Sequence, residues 1–253
     1  MRYQIAKWLF YRRYHSRVHY SPVPVLLDEY QLAADDPREH YGLSSEHFIY
    51  LSLGRVSRIK GQDLALKAFA QVAQTQANAR LVIVGRQDYE PDLWQEMQAF
   101  ISEQGLESRV IFTGMVSRPE VLGWLRHAQI HVIPVRFMNS GAVVVESWMG
   151  GIPVIQSDVV DPNLVIPGHN GYLFESENIQ DLARQMSLAY IQQTQLPLMA
   201  ARGQELVKQA YTYEALIGIY QTIYQDDLGL SWPQTGAETQ LMDSLPKPVL
   251  AHI

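Results

Sequence analysis

The stretch Ile130-His131-Val132-Ile133-Pro134-Val135-Arg136-Phe137-Met138-Asn139-Ser140-Gly141-Ala142-Val143-Val144-Val145-Glu146-Ser147-Trp148-Met149-Gly150-Gly151-Ile152-Pro153-Val154-Ile155 reads as strand, loop, helix and strand in a single pass. Residues 130–135 form an apolar run of strand length, and residues 152–155 read as a second buried strand. Between them, Asn139-Ser140-Gly141 is a small-residue turn, where the chain can bend sharply and offer bare backbone N–H groups to a ligand. Ala142 to Met149 should then be helical and, being apolar nearly all round, buried. Gly150-Gly151 and Pro153 end it. Glu146 is the sole ionisable side chain on that helix. A lone helical glutamate ordinarily faces water, but here the helix start and Glu146 fall at the mouth of a strand-loop-helix crevice, where a carboxylate can meet a ligand.

The same alternation extends in both directions. Residues 48–53 are a strand, and residues 62–74 carry Ala65, Ala68, Phe69, Val72 and Ala73 at helical spacing. Strands at 81–84 and 110–112 lead to helices at 92–104 and 119–128. Beyond residue 155 come a short strand at 172–174 and helical patterns near 179–192, 197–210 and 213–224. The predicted fold class is α/β, a doubly wound, Rossmann-like parallel sheet with helices on both faces. Residues 1–47 read as a basic, aromatic segment and a turn-rich linker, 48–225 as the domain proper, and 226–253, rich in polar residues and proline, as a loosely ordered tail.

With 253 residues and 47% hydrophobic content, the chain can bury a full core. The absence of cysteine excludes disulfides and thiolate metal sites and fits a reducing compartment, so a cytoplasmic location is expected. No apolar run reaches the roughly 18 residues of a membrane span. The net charge of −6 is unevenly placed: Arg2, Lys7, Arg12, Arg13 and Arg17 precede the first acid, Asp28. Residues 1–20, which also carry Trp8, Phe10, Tyr11, Tyr14 and Tyr20, can pack on protein or lie peripherally on an anionic membrane. The acidic remainder argues against a nucleic-acid partner.

In such a sheet ligands bind outside the carboxyl ends of the strands. The loop after the first strand, Gly54-Arg55-Val56-Ser57-Arg58-Ile59-Lys60-Gly61, sets cations between two glycines just before a helix. That arrangement suits a diphosphate, with Arg55 forking onto phosphate and Lys60 adding a point charge; a solvated basic loop is the plainer alternative. The loop matches neither a Walker P-loop nor a Gly-x-Gly-x-x-Gly fingerprint. His127 and His131 are four apart but straddle a helix-to-strand passage, which argues against a shared metal, and no metal site is expected.

Five motifs in order resemble the nucleotide-sugar-binding, C-terminal domain of GT-B fold glycosyltransferases of family 4. They are Gly54-Arg55 with Lys60-Gly61, Leu81-Val82-Ile83-Val84-Gly85, Val110-Ile111-Phe112-Thr113-Gly114, the stretch from Gly141 to Val154 ending Glu-x4-Gly-x-Pro-Val, and Gly168-His169-Asn170-Gly171-Tyr172-Leu173. The resemblance implies a glycosyltransferase that takes a nucleoside-diphosphate sugar as substrate, needs no cofactor, and passes the sugar to an acceptor hydroxyl with retention. It assigns Arg55 and Lys60 to the donor diphosphate, as the groups supporting catalysis. Gly54, Ser140, Gly141 and Ala142 go to the phosphates through the loop and helix start, and Glu146 goes to the ribose hydroxyls. Two positions depart from the family: Met138 stands where the first glutamate of Glu-x7-Glu belongs, and residues 159–163 lack its usual two glycines and glutamate. The residues before Phe48 are too few for an acceptor-binding domain, so a separately encoded acceptor half is expected. The alternative is a non-catalytic nucleotide-sugar-binding or scaffold subunit.

Overall fold

The computed structural model describes residues 24–137, 141–160 and 164–223. The expectations for residues 1–20 and for the tail lie outside that range. Six strands, β1 (Phe48–Leu53), β2 (Ala79–Val84), β3 (Val110–Gly114), β4 (Ile130–Ile133), β5 (Val154–Ser157) and β6 (Gly171–Phe174), form one sheet in the order β3-β2-β1-β4-β5-β6. Every neighbouring pair is parallel. Among the described residues seven α-helices accompany them: α1 (Gln62–Ala73), α2 (Pro91–Gln104), α3 (Arg118–His127), α4 (Ala142–Met149), α5 (Ile179–Ile191), α6 (Leu196–Ala210) and α7 (Tyr213–Thr222).

Strand alternation sorts the core onto two faces. Phe48, Tyr50, Leu81 and Ile83 point to one side, where they pack with Phe69 of α1, Leu93 and Met97 of α2, and Leu182 and Met186 of α5. Ile49, Leu51, Val82 and Val84 point to the other, onto Trp124 of α3, Val144 and Trp148 of α4, and Val207 of α6. Because both faces are covered, β1 and β4 are buried along nearly their whole length rather than at alternate residues. The helix expected at residues 142–149 has those bounds. It packs on α6, where Gly203 lets the Trp148 indole approach so closely that an added Cβ would stand 2.2 Å from the ring.

The turn-rich stretch before β1 differs from the linker expected of it. Over residues 24–46 it is docked on the second face, with Val25, Tyr30 and Leu43 buried. The Val25 amide donates to the Tyr211 carbonyl at 3.0 Å, and the Arg126 guanidinium donates to the carbonyls of Tyr30 at 2.8 Å and Leu32 at 2.6 Å. The sparse apolar residues of this stretch find their partners on α3 and at the end of α6, so local composition, polar and acidic, conceals its packing.

Candidate functional site at the switch point of the sheet

β1 leads through α1 to β2 on one side, whereas β4 leads through α4 to β5 on the other, so the chain reverses direction of winding between β1 and β4. The loops leaving these two strands diverge at their carboxyl ends, which is where a sheet of this kind offers a ligand crevice. The first wall is the loop after β1. Gly54 has φ +125° and Gly85 has φ +136°, and a Cβ on Gly85 would stand 2.4 Å from the Gly54 carbonyl oxygen. Both positions therefore need glycine for two loops to run side by side. The loop is shaped from within by Gln62, which is almost fully buried. Its amide donates to the carbonyls of Gly54 at 3.2 Å and Arg55 at 3.0 Å, while its oxygen accepts from the Ser57 amide at 3.3 Å.

Arg136, in the loop after β4, bolts the two walls together. Its guanidinium forks onto Asp63 of α1 at 2.8 and 2.7 Å and also donates to the Arg58 carbonyl at 2.5 Å. Its amide donates to the Ile59 carbonyl at 2.9 Å. Gly61, at φ +75°, presses against Pro134 so closely that a Cβ would overlap the Pro134 carbonyl. The cations divide by role. Arg58 is turned away, its amide bonded to Glu90 and its guanidinium paired with Glu96 at 2.7 Å. Arg55 is exposed and lies 4.2 Å from the Tyr89 ring centroid. Lys60 is half-buried; burial pushes its ammonium below the ordinary lysine value, Arg55 pushes the same way, and Glu146 opposes both.

The second wall is α4. Val144, Val145, Ser147, Trp148 and Met149 are buried, whereas Ala142, Val143 and Glu146 stay partly open and share a face toward the crevice. Gly141 begins the helix at φ +76° with no side-chain cap among the described residues, and a helix start of this kind turns its first amides toward an anion. Burial raises the Glu146 carboxyl above the ordinary glutamate value, against the pull of Arg118 and Lys60 and with a push from Glu29. Gly54, Arg55 and Lys60 thus lie on the loop after β1 and Gly141, Ala142 and Glu146 at α4, with Lys60 near enough to Arg55 and Glu146 to feel both charges; Ser140 and Met138 lie outside the described residues.

Several residues of this crevice escaped the sequence reading. Arg118 reaches Glu29 at 3.0 Å, the Tyr30 hydroxyl at 3.2 Å and Glu146 at 3.9 Å. The Ser117 cap, which accepts from the Glu120 amide, announces a helix start at Arg118 but not the direction of its side chain. His131 is not paired with His127, which lies instead 3.5 Å from Asp36. The His131 ring is buried: Nε2 accepts from the Leu53 amide at 3.1 Å and Nδ1 lies 2.7 Å from the Ser147 hydroxyl, which donates to the Val143 carbonyl. That pattern leaves the ring proton on Nδ1. Burial, with Lys60 adding, drives its pKa down to about 3.

A family model described as glycosyl transferases group 1 matches residues 47–190. The chain belongs to that family. This glycosyltransferase chain is 30% identical over 136 residues to the D-inositol 3-phosphate glycosyltransferase of Jonesia denitrificans, covering 53% of this chain and 32% of that one. With the N-acetyl-alpha-D-glucosaminyl L-malate synthase of Bacillus anthracis the identity is 25% over 193 residues, 76% of this chain and 49% of the relative. The chain thus spans about a third to a half of these curated relatives. Among solved structures, Anabaena HepE in complex with UDP and glucose superimposes with a TM-score of 0.65 at 24% identity, covering 82% of this chain and 56% of that one. The C-terminal domain of a group 1 glycosyltransferase, LpcC from Francisella tularensis, gives 0.66 at 19% identity, covering 75% of this chain and 99% of that domain. The fold is that of one Rossmann-like unit of the GT-B architecture. Among the described residues no helix is long and apolar enough to cross a membrane.

Proposed function

We propose that the crevice between β1 and β4 binds a nucleoside-diphosphate sugar and that the chain is the C-terminal, donor-side unit of a glycosyltransferase. The observation that carries this reading is the convergence of Lys60 and Arg55 with the uncapped start of α4 and with Glu146 at the switch point. Arg55, Lys60, the backbone at Gly54 and the amides near Gly141 and Ala142 hold the diphosphate, with Ser140 in the same turn. Glu146, half-open on the crevice face, accepts from the ribose hydroxyls. As an acceptor hydroxyl attacks the anomeric carbon and the bond to the diphosphate breaks, negative charge grows on the departing phosphate, where these cations and amides stabilise it. No cofactor or metal takes part in this scheme. The family resemblance favours retention at the anomeric carbon. The HepE complexes with UDP and UDP-glucose support a donor of this class.

An acceptor-binding unit meets this crevice from the carboxyl edge of the sheet. Ile59, Tyr89, Met115 and Phe137 are exposed, one on each of the loops that follow β1 to β4. Such a rim of large apolar side chains is what a second domain covers. Met138 favours a second reading, binding without turnover, because it removes a carboxylate from the sugar side of the site. A product assay with a nucleotide-sugar panel, with and without acceptors, separates the two.

Glu146→Gln tests the ribose assignment. The substitution keeps size and removes charge, so affinity for a nucleoside diphosphate should fall about tenfold, in line with loss of about 1.5 kcal/mol from a charged hydrogen bond. Affinity for inorganic pyrophosphate, which has no ribose, should hold. Equal weakening of both makes Glu146 a structural residue.

A further inference from the structure

Glu146 does not stand alone against the cations of the phosphate loop. Among the described residues, the charged or titratable groups that act on it are Lys60 from the loop after β1, Arg118 from the first turn of α3, and Glu29 with Tyr30 from the helical turn Leu27–Gln31. Arg118 is the pivot. One of its terminal nitrogens lies 3.0 Å from Glu29, 3.2 Å from the Tyr30 hydroxyl and 3.9 Å from Glu146. The guanidinium also sits 5.5 Å from the Tyr30 ring centroid, so it is held between carboxylate and aromatic ring. Its Nε is buried and has no hydrogen-bond partner among the described residues. A cation so fixed cannot swing freely between its two carboxylates.

The turn that carries Glu29 and Tyr30 is itself tied down. Tyr30 is buried, the Tyr30 carbonyl accepts from Arg126, and the Val25 amide is bonded to Tyr211. Glu29 thus reaches Arg118 from a docked segment, not from a free strand of chain. A donation from Arg118 to Glu146 at hydrogen-bond distance is absent, and the separation of 3.9 Å leaves the Glu146 oxygens available to a ligand while keeping a positive charge beside them.

We propose that Arg118, aimed by Glu29 and Tyr30, is a positioning residue for Glu146, and that the turn Leu27–Gln31 is thereby a working part of the donor crevice. The proposal rests on the donor reading given above for its consequence, though not for its geometry. Arg118 keeps Glu146 ionised and pointed into the crevice; Glu29 keeps Arg118 from closing onto Glu146 and quenching its acceptor oxygens. Residues ahead of β1 then set how well the nucleoside is gripped, although they touch no phosphate.

The two bracketing charges act on Glu146 in opposite senses, so their removal distinguishes positioning from packing. The Glu146 carboxyl is titrated by carbon-13 NMR in the ligand-free full chain, in Arg118→Met, Arg118→Lys and Glu29→Gln. Removing the cation should raise the Glu146 midpoint, removing Glu29 should lower it, and Arg118→Lys should stay near wild type. UDP, GDP, ADP and inorganic pyrophosphate are then titrated into each protein by calorimetry. The nucleoside diphosphate that wild type binds should weaken about three- to tenfold in Arg118→Met, recover in Arg118→Lys, and leave pyrophosphate unchanged. Midpoints that move together, or not at all, in folded variants overturn the positioning role. If the midpoints separate as stated but wild type binds none of the three nucleoside diphosphates, the charge bracket stands and the donor reading fails instead.

Discussion

Removing the Arg136 guanidinium leaves the Asp63 carboxylate buried with nothing to neutralise it. Asp63 is 5% exposed, and the fork from Arg136 is its ion-pair partner among the described residues. Breaking such a pair by deleting one member costs about 3 kcal/mol or more, because the remaining charge stays desolvated. Arg136→Leu should therefore lower the urea midpoint clearly, and it should also weaken pyrophosphate binding, since the same guanidinium holds the Arg58 carbonyl of the loop after β1. Asp63→Asn, which leaves a neutral partner, should lose less. Unchanged stability in Arg136→Leu would remove the clamp from the account. None of this was visible in the sequence, where Arg136 and Asp63 are 73 residues apart and each resembles an ordinary surface charge. The glycines and cations of the phosphate loop were legible because their chemistry is local; Arg118, Arg136 and Glu29 were not, because only the folded chain gives them a direction.

At the scale of elements, the sequence announced the helix Ala142–Met149 to the residue because a glycine turn and a Gly-Gly stop bracket one apolar run. The strands were legible as buried runs, yet the order β3-β2-β1-β4-β5-β6 was not, since apolar runs do not say which neighbour they take. The joint between β1, β4 and α4 depends on His131, whose neutral ring links the Leu53 amide to Ser147. Folding depresses the pKa of this ring from its ordinary value near 6.5 to about 3. Below pH 6.5 the unfolded chain binds a proton that the folded chain refuses, so stability should be complete above pH 6.5 and decline as pH falls toward 3. The melting temperature of His131→Leu should be lower at neutral pH, by loss of the buried bonds, and should fall less between pH 6.5 and 4 than that of wild type. Parallel pH profiles for the two proteins would contradict the neutral, buried histidine.

At the scale of the whole molecule, turnover depends on what closes over the loops after β1 and β4. On the donor-side reading proposed above, the apolar rim from Ile59 to Phe137 gives a second domain a surface to cover. Positioning both substrates and excluding water supplies much of the rate in such chemistry. The 253-residue chain by itself should accordingly bind a nucleotide sugar yet transfer little of it, as followed with labelled donor over a panel of acceptors. Robust multiple turnover without a second protein would contradict that expectation. Deleting residues 1–20 should leave nucleotide affinity unaltered if the donor reading is right, and calorimetric titration of the truncated chain checks it.

The central claim is that the loop Gly54–Gly61 and the start of α4 hold a diphosphate. Calorimetric titration of a nucleoside diphosphate into wild type and into the double variant Arg55→Ala, Lys60→Ala tests it most directly. Each lost charge-assisted bond is worth about 1.5–3 kcal/mol, so affinity should drop at least a hundredfold while the melting curve confirms an intact fold. Equal affinity in the two proteins would show that the diphosphate, if it binds, binds elsewhere.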